Sequence, residues 1–237
     1  MAPRTRTRMR HASALVLVVA ALAATAGCDP RTIMYFLQPF EPTVPAKGPS
    51  LKGKKVVVLT RATSSAMGEF PSIDREIERE FLALLRKNGK KITFVEPDKV
   101  HTWVEGHPDW TDPTDAARDF EADVAIFLEL EQFQIQAPGG LNLLQGHSKI
   151  HLKAIELKPA KNSKGREVAD KPKESEEIWN DYQETEFPTR GHVPIESAGG
   201  RESFKNKFMK VVAAEASWHF VEHAEGDDIQ DVRFSKH

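Results

Sequence analysis

The run Val124 to Gln136 (VAIFLELEQFQIQ) constrains the fold of this chain more than any other segment. Ile126, Leu128 and Leu130 share one phase, as a strand with a side-chain period of two requires. Phe133 and Ile135 fall in the other phase. A regular strand cannot bury both sets on one face. The change of phase therefore predicts a bulge or bend near Glu131-Gln132, where one extra residue resets the alternation. The first half is apolar at nearly every position, which places it mid-sheet with both faces covered.

The flanking segments supply the rest of that layer. Lys55 to Thr60 (KVVVLT) reads as a second buried strand, followed by a polar loop from Arg61 to Phe70. A helix then starts at Pro71-Ser72, with Ser72 as N-cap and an apolar stripe of Ile73, Ile77, Phe81, Leu84 and Leu85. Asn88-Gly89 stops it. Ile92 to Val95 is a short strand, and Asp98 to Glu105 a short helix ending at Gly106. Asp112-Pro113-Thr114-Asp115 opens another helix, with Asp at the cap and Pro in the first turn, that ends near Glu121. Beyond the central strand, Ala137-Pro138-Gly139-Gly140 breaks the chain. Half-polar strands at His147 to Leu157 and Glu177 to Phe187 suit antiparallel pairing with one wet face. A last helix runs from about Arg201 to His223. The order β-α-β-α-β-β-β-α predicts an α/β (α+β) fold. One mixed sheet of about five strands has helices packed on it, with parallel crossovers early and a meander late.

The N-terminus sets location. Arg4, Arg6, Arg8 and Arg10 precede the apolar run Ala14 to Ala24, small residues follow, and then comes Cys28, the one cysteine of 237 residues. This is the layout of a secretory signal peptide, too short an apolar run to span a bilayer. Ala26-Gly27-Cys28 resembles the bacterial lipobox, whose cysteine is acylated, with palmitate as one such chain, and becomes the mature N-terminus. Thr25 departs from the Leu, Val or Ile usual there. The alternative is cleavage after Ala24-Thr25-Ala26, which leaves an unpaired exported thiol. Removal of residues 1–27 leaves 29 basic and 35 acidic side chains, a formal charge of −6. That balance does not suit a nucleic-acid-binding face. The expected division is residues 1–27 signal peptide, 28–50 lipidated N-terminus and proline-rich tether, 51–223 α/β domain and 224–237 acidic tail.

Candidate chemistry is sparse. His219-Phe220-Val221-Glu222-His223 matches H-x-x-E-H, which on a helix places two zinc-binding imidazoles on one face. A zinc hydrolase also needs a third ligand, and only 14 residues follow His223. The competing reading is two histidines in the last helical turn, favoured by the helix dipole. Glu215 falls inside the apolar stripe of the same helix, either as a pocket acid or in contact with His219 at the sheet edge. His147 and His151 lie about 13 Å apart on a strand, too far for one metal ion. His101 and His107 flank a turn. The run Asp74 to Glu80, interleaved with Arg75 and Arg79, reads as a solvated helix face. Leu141, Leu143 and Leu144 crowd a hairpin tip, either as a partner contact or folded back onto the sheet. The connection 158–175 carries six basic and three acidic residues and reads as a solvated loop, with contact to an anionic surface as the alternative. No cofactor is expected.

The lipobox-like N-terminus, the KVVVL strand and the ADVAIFLEL strand entering a meander resemble a group of envelope lipoprotein domains. The group includes the curli-secretion lipoprotein, the lipoprotein activators of penicillin-binding proteins and the N-terminal domain of the Tol translocation protein. The resemblance covers roughly residues 51–223. In that group a Gly-Ala-Asp turn precedes the central strand; here it is Glu121-Ala122-Asp123, with Glu121 in place of glycine. The resemblance implies a non-enzymatic module that binds an envelope protein. Its membrane contact is the N-terminal lipid and its domain faces the periplasm or exterior. It carries over no catalytic residue. A zinc hydrolase and a small-ligand or lipid carrier stand as alternatives.

Overall fold

A computed structural model describes residues 42–160 and 173–228. In chain order the elements are β1 (Thr43–Val44), β2 (Lys55–Ala62), α1 (Ser64–Met67), α2 (Ile73–Asn88), β3 (Thr93–Phe94), α3 (Pro97–Gly106), α4 (Pro113–Asp119) and β4 (Val124–Gln136). They continue with β5 (Leu143–Lys158), β6 (Glu174–Phe187), β7 (Val193–Pro194), α5 (Arg201–Ser217) and β8 (His223–Ala224), then a 3-10 turn over Glu225–Asp228.

The main sheet runs β3-β2-β4-β5-β6, with β7 beside one end of β5. β2 is parallel to both β3 and β4, whereas β4, β5 and β6 form an antiparallel meander. The class is therefore mixed α/β, as the element order predicts. β4 sits in the middle, and its neighbours explain its sequence. Ile126, Leu128 and Leu130 join Val56 and Val58 in a core under α2 and α5, with Phe81, Leu85, Phe208 and Val212. The alternate residues Ala125 and Phe127 join Val57 and Leu59 on the other face, against Val100, Ala116 and Ala117 of α3 and α4. Each fully buried aliphatic or aromatic side chain contributes about 1.5–3 kcal/mol.

The expected bulge is present. Leu130 faces Ile150, but Gln132 faces Lys149, so Glu131 is the extra residue. The reset returns Phe133 and Ile135 to the face of Leu130, where both are buried. The cap at Asp112 also forms as expected, its carboxylate accepting from the Thr114 N–H at 2.8 Å.

Four expectations need correction. Ser72 occupies the N-cap of α2, but its hydroxyl donates to Glu76 at 2.9 Å rather than capping the backbone. The polar loop after β2 contains α1, capped by Thr63, whose hydroxyl oxygen accepts from the Ala66 N–H. The proline-rich segment is not free of the domain at its C-terminal end. β1 pairs with β8, and the Gly48 N–H donates to the His219 carbonyl at 2.7 Å. Finally, α5 ends at Ser217, six residues before the expected end. The Trp218 to Val221 segment turns there, allowing His223 and Ala224 to pair with β1.

Candidate functional site

The early end of α5 decides the fate of the H-x-x-E-H motif. His219, Glu222 and His223 lie beyond the helix, so the i, i+4 geometry of a zinc pair is not formed. His219 turns inward beneath β6. Glu222 is exposed, 3.9 Å from Lys90, and His223 stacks on Trp218 at 4.3 Å. Among the described residues no group of three His, Cys, Asp or Glu is placed to hold a metal ion.

The inward turn builds a polar seam instead. Asp181, Gln183 and Thr185 alternate along β6 and face the end of α5. Thr185 donates its hydroxyl to Glu215, and the Gln183 amide nitrogen donates to the same carboxylate at 3.0 Å. The Gln183 amide oxygen then faces His219 Nε2 at 3.1 Å. That orientation makes Nε2 the protonated nitrogen, since the Gln183 oxygen can only accept. Glu215 and His219 thus communicate through Gln183, not by the direct contact expected. Glu215 is 8% exposed and His219 2%. Burial holds His219 below the usual imidazole pKa, Lys47 pushes the same way, and Asp181 opposes them at 3.7 Å. The seam pins the last turn of α5 to the outermost strand.

The remaining candidates are dispersed. His151 lies within 2.7 Å of Asn180 and stacks on Tyr182, while His147 stands opposite Gln134 and Glu186. His107 Nδ1 lies 2.8 Å from the Trp103 carbonyl and its ring stacks on Trp103. His101 reaches Glu78 at 3.0 Å. This corrects the reading of Asp74 to Glu80 as a solvated face: Glu78 is only 4% exposed, and burial pushes its carboxyl up from the ordinary range. Glu76 of the same run pairs with the buried Lys205 on α5 at 3.0 Å. The three leucines divide. Leu141 is 82% exposed and Leu143 half-buried, but Leu144 is fully buried in the core. Leu144 is therefore withdrawn as a partner contact, because its strand pairs with β7 and turns its side chain inward. Cys28, and residues 161–172 of the charged connection, lie outside the described residues.

One feature of the surface escaped the sequence reading. Trp103, His107, Trp110, Asp115, Arg118 and Asp119 line an open groove of about 550 Å³. Arg61 stacks over Trp110 at 4.2 Å and donates to its carbonyl, and Trp103 Nε1 donates to Asp119 at 2.7 Å. These residues come from β2, α3, α4 and the loop between the two helices. No local pattern marks them.

No protein-family model and no curated protein matches the chain. Among solved structures, the chain is similar to the PelC dodecamer from Paraburkholderia phytofirmans. Identity is 14%, covering 76% of this chain and 98% of that one, with a TM-score of 0.41. The lipoprotein GNA1162 from Neisseria meningitidis is similar at 8% identity, covering 68% and 96%, with a TM-score of 0.40. The hypothetical protein CT253 from Chlamydia trachomatis is similar at 10% identity, covering 71% and 97%, with a TM-score of 0.38. Among the described residues no helix is long and apolar enough to cross a membrane.

Proposed function

We propose that this chain is a membrane-anchored envelope lipoprotein whose α/β domain is a non-catalytic protein-interaction module facing the periplasm or exterior. The observation that carries it is the lone cysteine, Cys28, placed directly after a basic segment, an apolar run and small residues. Several acyl chains on that residue give stable anchoring, because each buried CH₂ contributes about 0.8 kcal/mol. The residues of the H-x-x-E-H motif are drawn into separate contacts, His219 with Gln183 in the seam and His223 on Trp218, which speaks against the zinc-hydrolase alternative.

Fractionation of cells expressing the full chain tests the anchor. The natural chain is expected in the membrane fraction and Cys28→Ser in the soluble fraction. Unchanged membrane association of Cys28→Ser would overturn the lipid anchor. Cross-linking in intact cells tests the module, with a specific envelope protein as the expected adduct. Adducts with itself alone, or none, would count against it.

A further inference from the structure

β6 is the outermost strand of the main sheet. It pairs with β5 on one side, and among the described residues no strand pairs with its other side. Its 14 residues, ESEEIWNDYQETEF, span about 46 Å at roughly 3.3 Å each. They include Glu174, Glu176, Glu177, Asp181, Glu184 and Glu186, and no lysine or arginine. Lys158 of β5 reaches Glu176. Glu184 stands opposite Lys149 of β5 and interacts with it electrostatically. Among the described residues Glu174, Glu177, Asp181 and Glu186 form no ion pair with Lys or Arg.

Two backbone groups show how the free edge is satisfied. The Tyr182 N–H donates to the Asp181 carboxylate at 2.9 Å, and the Glu184 carbonyl accepts from the Gln183 side-chain amide at 2.9 Å. In an antiparallel pair, alternate residues turn both backbone groups away from the partner strand. The even-numbered residues Asn180, Tyr182, Glu184 and Glu186 are therefore those that present N–H and C=O outward. The outward groups of Tyr182 and Glu184 are held by side chains of adjacent residues, contacts that an incoming strand replaces with ladder hydrogen bonds.

We propose that this edge receives an extended segment of a partner protein, added as a further strand and carrying Lys or Arg at alternate positions. Backbone hydrogen bonds give such an addition its affinity and the side chains its selectivity. Charge selects the occupant. A second copy of β6 sets carboxylates against carboxylates, which disfavours pairing, whereas a basic segment sets opposite charges across the new ladder. The inference rests on reading the domain as a protein-interaction module and is independent of the anchor.

Photo-cross-linking residues introduced singly into the full-length protein, in its own cells, test this. The positions are Tyr182 on the edge, Leu141 at the hairpin tip and Lys87 on the exposed side of α2, as the control. The expected result is an adduct at Tyr182 and not at Lys87, mapped by mass spectrometry to a segment with alternating Lys or Arg. Combining it with Glu177→Lys and Glu184→Lys, both exposed, is expected to lower the yield about tenfold, with an unchanged melting transition showing that the fold persists. A neutral or acidic segment, a second copy of this chain, or a yield indifferent to charge reversal would overturn the proposal. An adduct at Leu141 with none at Tyr182 overturns the edge and leaves the module reading standing. No adduct at any position removes both.

Discussion

Gly146 of β5 lies flat against the ring of Phe208 of α5: a Cβ at this glycine would stand 2.5 Å from the ring carbons Cγ and Cδ2. The last helix settles onto the sheet at a point where the strand has no side chain to hold it off. Gly146→Ala is expected to destabilise the domain by about 1–3 kcal/mol, the usual range for overpacking a close core contact. Gly106, which meets nothing within 4 Å, is the matched control; its alanine variant is expected to be neutral or mildly stabilising. Chemical denaturation of both variants gives the comparison.

The division of the hairpin leucines predicts unequal costs. Leu144→Ala removes a fully buried side chain and is expected to cost about 2–5 kcal/mol. Leu141→Ala acts on an exposed side chain and is expected to stay within about 0.5 kcal/mol of the natural chain. Similar denaturation midpoints for the two variants would contradict the placement of β5 against β7.

Glu121 adopts φ +49°, the left-handed region that favours glycine. Left-handed backbone costs an ordinary L-residue about 1–2 kcal/mol. Glu121→Gly is therefore expected to raise stability by about 1 kcal/mol, read as a higher melting temperature.

His219 predicts a pH dependence with a definite sign. Its folded pKa lies below the ordinary 6.5, chiefly through burial. As pH falls below about 6.5 the unfolded chain binds the proton more readily, so stability present above that pH is lost as pH drops through the folded value. Glu78 acts in the opposite sense, since its raised carboxyl pKa lets the folded chain take up a proton first. Melting at about pH 7.5 and about pH 5.5 separates the two. His219→Gln is expected to lose less stability on acidification than the natural chain, and Glu78→Gln to lose more.

What lies within a few residues in the chain was legible from the sequence. The phase change between Leu130 and Phe133 required a bulge, because a strand alternates its side chains whatever it pairs with. Asp112-Pro113 similarly marked a helix start, because capping involves only neighbouring backbone groups. The tertiary structure alone decided the end of α5. Nothing local stops the apolar pattern at Ser217; beyond it the chain is held by residues about 180 positions earlier in the sequence, through β8 pairing with β1 and the Gly48 N–H donating to the His219 carbonyl. The same holds for Glu215 and His219, joined by Gln183 more than 30 residues upstream, and for Glu78, paired with His101 of another helix. A periodic pattern specifies which face of an element is apolar. Which polar groups meet across the packed layers depends on long-range pairings that no local pattern encodes.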